Sequence, residues 1–202
     1  TATAQGYTRS CDRLESDMTN PTAAILVIGD EILSGRTRDS NLHFLAGELT
    51  RIGITLGEAR IVADSHPEIV AAVRALSGKY THVFTSGGIG PTHDDITADA
   101  VAAAFGRSID VRADAVAILR PWYEARGQEI NEGRMRMARI PDGASLILNP
   151  VSAAPGFQLG NVFVMAGVPS VMRGMLSDIP HRIEGGAVVH SRTIRANGVR
   201  EG

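Results

Sequence analysis

"YTHVFTSGGIGPTHDDIT", Tyr80 to Thr97, is the stretch on which the reading of this chain turns. A β-branched and aromatic run ends at Ser86. The chain then turns through Gly87, Gly88, Gly90 and Pro91 and sets Asp94 beside Asp95. The run suits a strand, and the loop leads into "TADAVAAAFG", which suits a helix. Glycines at such a turn permit positive φ and let backbone N–H groups approach an anion. Ser86 adds a hydroxyl, and a helix starting near Thr97 points its positive end at the same place. A plain tight turn with a solvated acidic tip has much the same composition.

Upstream, "TAAILVIG" (Thr22–Gly29) is a short apolar run stopped by glycine, the pattern of a strand buried on both faces. "DSNLHFLAGELTRIG" places Leu42, Leu45, Ala46, Leu49 and Ile52 at helical spacing, with Gly53 as the stop. "TLGEARIV" is a second strand. Ser65 and Glu68 form the signature of a capping box, Pro67 fits the first turn, and Ile69, Val70, Val73 and Leu76 line the face of the helix that follows. The alternation β-α-β-α-β-loop-α predicts a parallel sheet covered by helices.

Downstream, residues 112–139 are expected to be largely helical, with Pro121 kinking or breaking "ADAVAILRPWYEARG" and a second helix in "NEGRMRMARI". "ASLILNP" and "GFQLGNVFVMAG" look extended, with a turn at "LGN", and "VMRGMLSDI" is a last helix. The division expected is a loosely ordered tail over residues 1–20, one domain over 21–182, and an extension over 183–202 that begins as a strand.

With 202 residues, 44% apolar and 21% charged, the chain has the profile of a soluble globular protein. A formal charge of -2 gives no general attraction for nucleic acid or anionic membrane, so neither is expected as a partner. No apolar run is long enough to span a bilayer, and the N-terminal segment lacks the apolar core of a secretory signal. Cys11 is the single cysteine, which excludes an internal disulfide and makes a cytoplasmic location the expectation. Its place in a polar tail argues against a catalytic thiol.

In a parallel sheet, ligands bind beyond the carboxyl ends of the strands. The loops there are "GDEILSGRTRDSN", "VADSHPE" and "SGGIGPTHDD", and all carry carboxylates. Aspartates beside a phosphate-attracting loop are electrostatically out of place unless a divalent cation such as Mg²⁺ joins them. No Gly-Lys-Ser/Thr follows the glycines, so this is no Walker A loop, and His93 stands where a dinucleotide fingerprint needs its third glycine.

Each of these residues also has a plain structural reading. Asp30 caps a short turn, Asp64 precedes the Ser65 cap, and Asp39 and Asn41 start a helix. His93 is a loop hydrogen-bond partner, and the six histidines offer no spacing suited to zinc. Arg134, Arg136 and Arg139 lie within reach of a ligand's phosphates or form a solvated face. Trp122 and Tyr123 are core or oligomer contacts, and Met135 and Met137 are packing.

"TSGGIGPTHDDIT" resembles the signature loop of the molybdopterin-binding fold shared by MogA, MoaB and the third domain of MoeA. Its Gly-Pro-Thr-His-Asp-Asp form is most similar to the N-terminal domain of the CinA family. "IGDEILSGRTRDSN", "NPVSAAPGF" and "MAGVPSVMRGM" extend the resemblance over about residues 22–180. It implies a three-layer α/β/α sandwich with a mainly parallel, Rossmann-like sheet and a site for a pterin or a nucleotide pyrophosphate. It further implies ligand contacts from Ser86, Gly87, Gly88, Ile89, Gly90, Thr92 and Thr97, with Gly156, Pro169 and Ser170 closing the pocket. Asp95 and Asp64, with Asp94 alongside, are the implied catalytic residues. Glu31, Asp64 and Asp95 are the implied holders of Mg²⁺ or another divalent cation.

The resemblance leaves three activities open: metal-dependent pyrophosphate hydrolysis of ADP-ribose or FAD, binding or adenylylation of molybdopterin in molybdenum cofactor biosynthesis, and a non-catalytic ligand-binding module. Homo-oligomers are expected by analogy. Ser152-Ala153 stands where the CinA pattern has Gly-Thr, so one pocket wall is expected to differ. No C-terminal amidase stretch follows in this sequence, so nicotinamide mononucleotide deamidation is not expected.

Overall fold

A computed structural model describes residues 20–188. Its centre is β1 (Thr22–Ile28), whose side chains alternate between two cores. Ala23, Ile25 and Val27 enter one, and Ala24, Leu26 and Ile28 enter the other. That double burial is why the strand shows continuous apolar character with no polar alternation.

Around it lie β2 (Thr55–Val62), β3 (His82–Ser86), β6 (Ser145–Ile147), β7 (Gly156–Leu159) and β8 (Val162–Met165). The sheet order is β2-β1-β3-β8-β7-β6. The first four strands are mutually parallel, while β7 and β6 run antiparallel. The helices α3 (His66–Ser77), α4 (Thr97–Ala104) and α5 (Ala113–Glu124) bury Ile69, Val73, Val101 and Leu119 against one face. On the other face α2 (Asn41–Arg51) and α7 (Pro169–Leu176) bury Leu45, Leu49, Met172 and Met175. The result is the expected three-layer α/β/α sandwich on a mainly parallel sheet. Phe84 and Phe163 stack in the second core with ring centroids 5.0 Å apart, an arrangement worth about 0.5–1.5 kcal/mol beyond area burial.

Several expectations give way. Pro121 neither breaks nor ends α5; it stands in the last turn, where little helix remains to lose. Ser65 is the N-cap of α3 but makes no side-chain cap bond. Pro67 removes one of the two N–H groups a capping hydroxyl serves.

The middle is less helical than expected. Past α5, α6 spans only Glu132–Arg136, and β5 (Arg139–Pro141) then pairs antiparallel with β4 (Ile109–Val111). Ala138 and Ile140 are buried, an alternate-residue pattern that suits a strand, and Pro141 could not have continued a helix.

Residues 183–188 form no strand; the Gly186 amide donates to Ile52 O at 3.0 Å, and this segment crosses Gly53 so closely that a Cβ at Gly53 would overlap it. The expectations for residues 1–19 and 189–202 lie outside the described residues. No helix among the described residues is long and apolar enough to cross a membrane.

Candidate functional site

The register brings four strand ends to one rim. Ser86 sits opposite Val27 and Met165, and Ile28 opposite Val62. β7 begins at this same rim because Phe157 pairs with Val164, so Pro155 and Gly156 arrive beside the parallel ends. The helices α2, α3, α4 and α7 all start from loops on this side, each presenting its positive end.

The loops are tied to one another by named bonds. The Asp30 amide donates to Asp64 Oδ2 at 2.9 Å, and the Asp64 amide returns a bond to Asp30 Oδ1 at 3.3 Å. Asn41, 4% exposed, donates through Nδ2 to Ser86 Oγ (2.8 Å) and to Gly167 O (2.7 Å). One side chain at the start of α2 thus joins the ends of β3 and β8. Asp39 meanwhile accepts from the Leu42 amide at 2.8 Å and does cap that helix.

The glycine loop departs from β3 with Gly87 at φ 114° and Gly88 at φ 68°. A Cβ at Gly87 would overlap Ile28 O, and one at Gly88 would overlap Thr97 Oγ, so both positions are closed to other residues. Gly90 has no positive φ, but a Cβ there would lie 2.6 Å from Asp95 Oδ2. The Gly87 amide is used by Met165 O at 3.1 Å, and Gly88 O accepts from the Thr97 amide at 2.9 Å. The amides of Gly88, Ile89 and Gly90 have no acceptor among the described residues. Three successive unpaired donors at a helix start form a concave anion nest.

Four buried side-chain polar atoms lack a hydrogen-bond partner among the described residues: Asn41 Oδ1, Thr85 Oγ, Thr97 Oγ and Arg136 Nε. Three of them belong to this rim by register or direct approach. The fourth, on α6, lines a cleft that includes Ile89, Gly90, Asp95 and Pro155. A buried polar atom left unpaired costs about 1–3 kcal/mol, so such atoms gathered near one rim make it the candidate site.

The carboxylates divide into two groups. Burial, and then the charges of Asp30, Glu31 and Asp94, push the Asp64 carboxyl above the ordinary aspartate range. Asp94, at the exposed tip, is instead held below that range by the polar groups around it, the Thr92 side chain first, then its own backbone amide and His93. Asp95 turns away from this group. Its Oδ2 accepts from the Thr92 amide at 2.9 Å and from the Thr92 hydroxyl, and it faces the Arg136 cleft. Among the described residues no three His, Cys, Asp or Glu side chains gather as metal ligands. Glu31, Asp64 and Asp95 therefore do not stand together as a ready ion site, because Asp95 is bonded into its own loop.

The remaining expected residues fall as follows. Pro169 and Ser170 are exposed at the first turn of α7, on the rim. Gly156 is buried in β7, where a Cβ would overlap Val164 O, so its need for glycine is strand packing and it contributes no open pocket wall. Of the three arginines, Arg139 forms a two-pronged pair with Asp99 (2.9 and 2.7 Å). Arg134 is held by Gln128 and stacks over Tyr123 at 4.4 Å. Arg134 and Arg136 have no ion pair among the described residues, and Arg136 alone of the three has no side-chain hydrogen bond there either. Trp122 is covered by Arg126 at 3.6 Å, and Tyr123 is buried, which agrees with a packing role. Asn41 does more than its plain helix-start reading: its two buried bonds tie the ends of β3 and β8.

The fold agrees with comparisons to known proteins. A family model described as a probable molybdopterin binding domain matches residues 24–184. A protein of Aeropyrum pernix is 38% identical over 160 residues, which cover 77% of this chain and 60% of that protein. A CinA-like protein of Gemmatimonas aurantiaca is 35% identical over 189 residues, 88% of this chain and 44% of its own length. The chain thus spans less than two thirds of the length of these relatives. The crystal structure of a CinA protein of unknown function from Thermoplasma acidophilum matches with TM-score 0.74 and 33% identity, covering 80% of this chain and 97% of that one. MoaB of Pyrococcus furiosus, a tungsten cofactor synthesizing protein, shares the fold at TM-score 0.52 and 19% identity, over 80% of this chain and 91% of that one.

Proposed function

We propose that this chain, which belongs to the molybdopterin-binding domain family and is CinA-like, binds a nucleotide pyrophosphate at the rim and hydrolyses its phosphoanhydride, ADP-ribose or FAD being the substrates of choice. The observation that carries this reading is the run of unpaired amides at Gly88, Ile89 and Gly90 beside the start of α4. Such donors select for phosphate oxygens, and they lie within one loop of the Asp64 carboxylate group. Molybdopterin, a phosphorylated pterin, satisfies the same nest, and the family description keeps pterin binding as the second reading.

The carboxylates fit a divalent cation in one sense only. Mg²⁺ takes one or two carboxylates and fills its other positions from phosphate oxygens and water. Asp64 with Glu31 or Asp94 offers such a sparse set, and the mutual repulsion that raises Asp64 is what a cation relieves. A bound cation supplies charge neutralisation on the phosphoanhydride. The chain's own residues do the rest. The loop amides hold one phosphate, Asn41 fixes the spacing of the β3 and β8 ends, and Asp64 accepts the proton of an attacking water. Asp95 holds Thr92 and thereby the loop.

The test is incubation with ADP-ribose or FAD and Mg²⁺ or Co²⁺, with AMP release followed by chromatography. Turnover that falls at least about a hundredfold in Asp64→Asn, the range for a removed general base, supports the reading. No AMP from either substrate at high protein concentration discards hydrolysis and leaves pterin binding.

A further inference from the structure

Among the described residues Arg136 is the one arginine of its cluster with no side-chain partner, and its environment is unusual for such a cation. The Nε atom is buried without a hydrogen-bond acceptor among the described residues. The side chain lines a cleft together with Ile89 and Gly90, two residues of the unpaired-amide run. Asp95 and Asp99 line the same cleft, yet neither forms an ion pair with it. Asp99 is taken by Arg139, and Asp95 by Thr92. Two carboxylates beside a guanidinium, both already engaged, leave its donors free for a third anion.

We infer that Arg136 binds the second phosphate of a diphosphate ligand whose first phosphate sits on the Gly88–Gly90 amides, and that it makes the site selective for phosphoanhydrides over monophosphates. This rests on the proposed phosphate nest. The physical basis is twofold. A guanidinium presents a planar fork that matches two phosphate oxygens, which an ammonium does not. A buried Nε with no acceptor among the described residues gains one when an anion enters, so binding energy is realised on occupancy. Arg139 cannot substitute, because its fork is filled by Asp99.

The experiment measures binding of ADP-ribose and of AMP by calorimetry, without metal, to the wild type, Arg136→Gln and Arg136→Lys. Circular dichroism and thermal unfolding check that each variant is folded. The expected result is a loss of about tenfold or more for ADP-ribose in Arg136→Gln, with AMP changed less than about twofold, and partial recovery in Arg136→Lys. Equal losses for the two ligands, or no loss for either, overturn the assignment, since a purely structural arginine does not distinguish one phosphate from two. The outcome is separable from the hydrolysis reading. ADP-ribose that binds selectively but yields no AMP sinks hydrolysis alone, whereas wild type that binds neither ligand sinks both.

Discussion

Asp64 is where charge and stability meet. Its carboxyl is raised by burial first and by Asp30, Glu31 and Asp94 next. A carboxyl raised in the folded state favours its protonated form there. The stability it gives is complete below the ordinary value of 3.8 and is lost as pH rises through the folded value. At neutral pH the ionised group therefore opposes folding, and Asp64→Asn is expected to raise the melting temperature while lowering hydrolysis. Melting curves of both proteins should converge as pH falls toward 3.8. A variant less stable than wild type at neutral pH would contradict the charge crowding. Glu58 runs the other way. Hydrogen bonding from Arg60, then Lys79 and Tyr80, lowers its carboxyl from 4.5 to about 2, so its contribution is present above 4.5 and disappears as pH falls through that window. Glu58 lies within β2 and Asp64 just past its end. Only the folded neighbours decide that one is lowered and the other raised.

At the scale of elements, the strand-glycine-helix unit was legible because its residues allow little else. Gly87 and Gly88 take backbone angles other side chains avoid, and a Cβ at either would overlap an atom that cannot easily move. Gly88→Ala is expected to cost about 1–3 kcal/mol from strain and to abolish phosphate binding; chemical denaturation and calorimetry read the two effects separately. Asn41 ties α2 to β3 and β8 through two buried bonds. Asn41→Leu is expected to cost about 1–3 kcal/mol, the penalty for leaving Ser86 Oγ and Gly167 O unsatisfied. The short β4–β5 ribbon and the early end of α6 were not legible. Arg134, Arg136 and Arg139 lie close together in a stretch of helix formers, and only the pairing of Arg139 with Val111 in the β4–β5 ribbon shows that the helix has already ended. The resemblance implied a metal role for Asp95, and what no sequence pattern displays is that its Oδ2 accepts from the Thr92 amide three residues back.

For the molecule as a whole, two cores share one sheet, and β1 belongs to both. The alternation of apolar runs and helical stripes specified the layers. The crossover from parallel to antiparallel strands came from the tight turn at Gly160, which takes φ 58° and joins β7 directly to β8. Phe84→Ala, in the middle of the second core, is expected to cost about 3–5 kcal/mol with little change in ligand affinity while folded, since its ring stacks on Phe163 away from the rim. The rim gathers unpaired backbone donors, orphaned side-chain atoms and crowded carboxylates from loops far apart in the chain. The most direct measurement of that convergence is an amide NMR titration with inorganic pyrophosphate. Saturable downfield shifts of the Gly88, Ile89 and Gly90 N–H resonances are the expected result. Shifts confined to other parts of the molecule, with these three unmoved, would contradict the account.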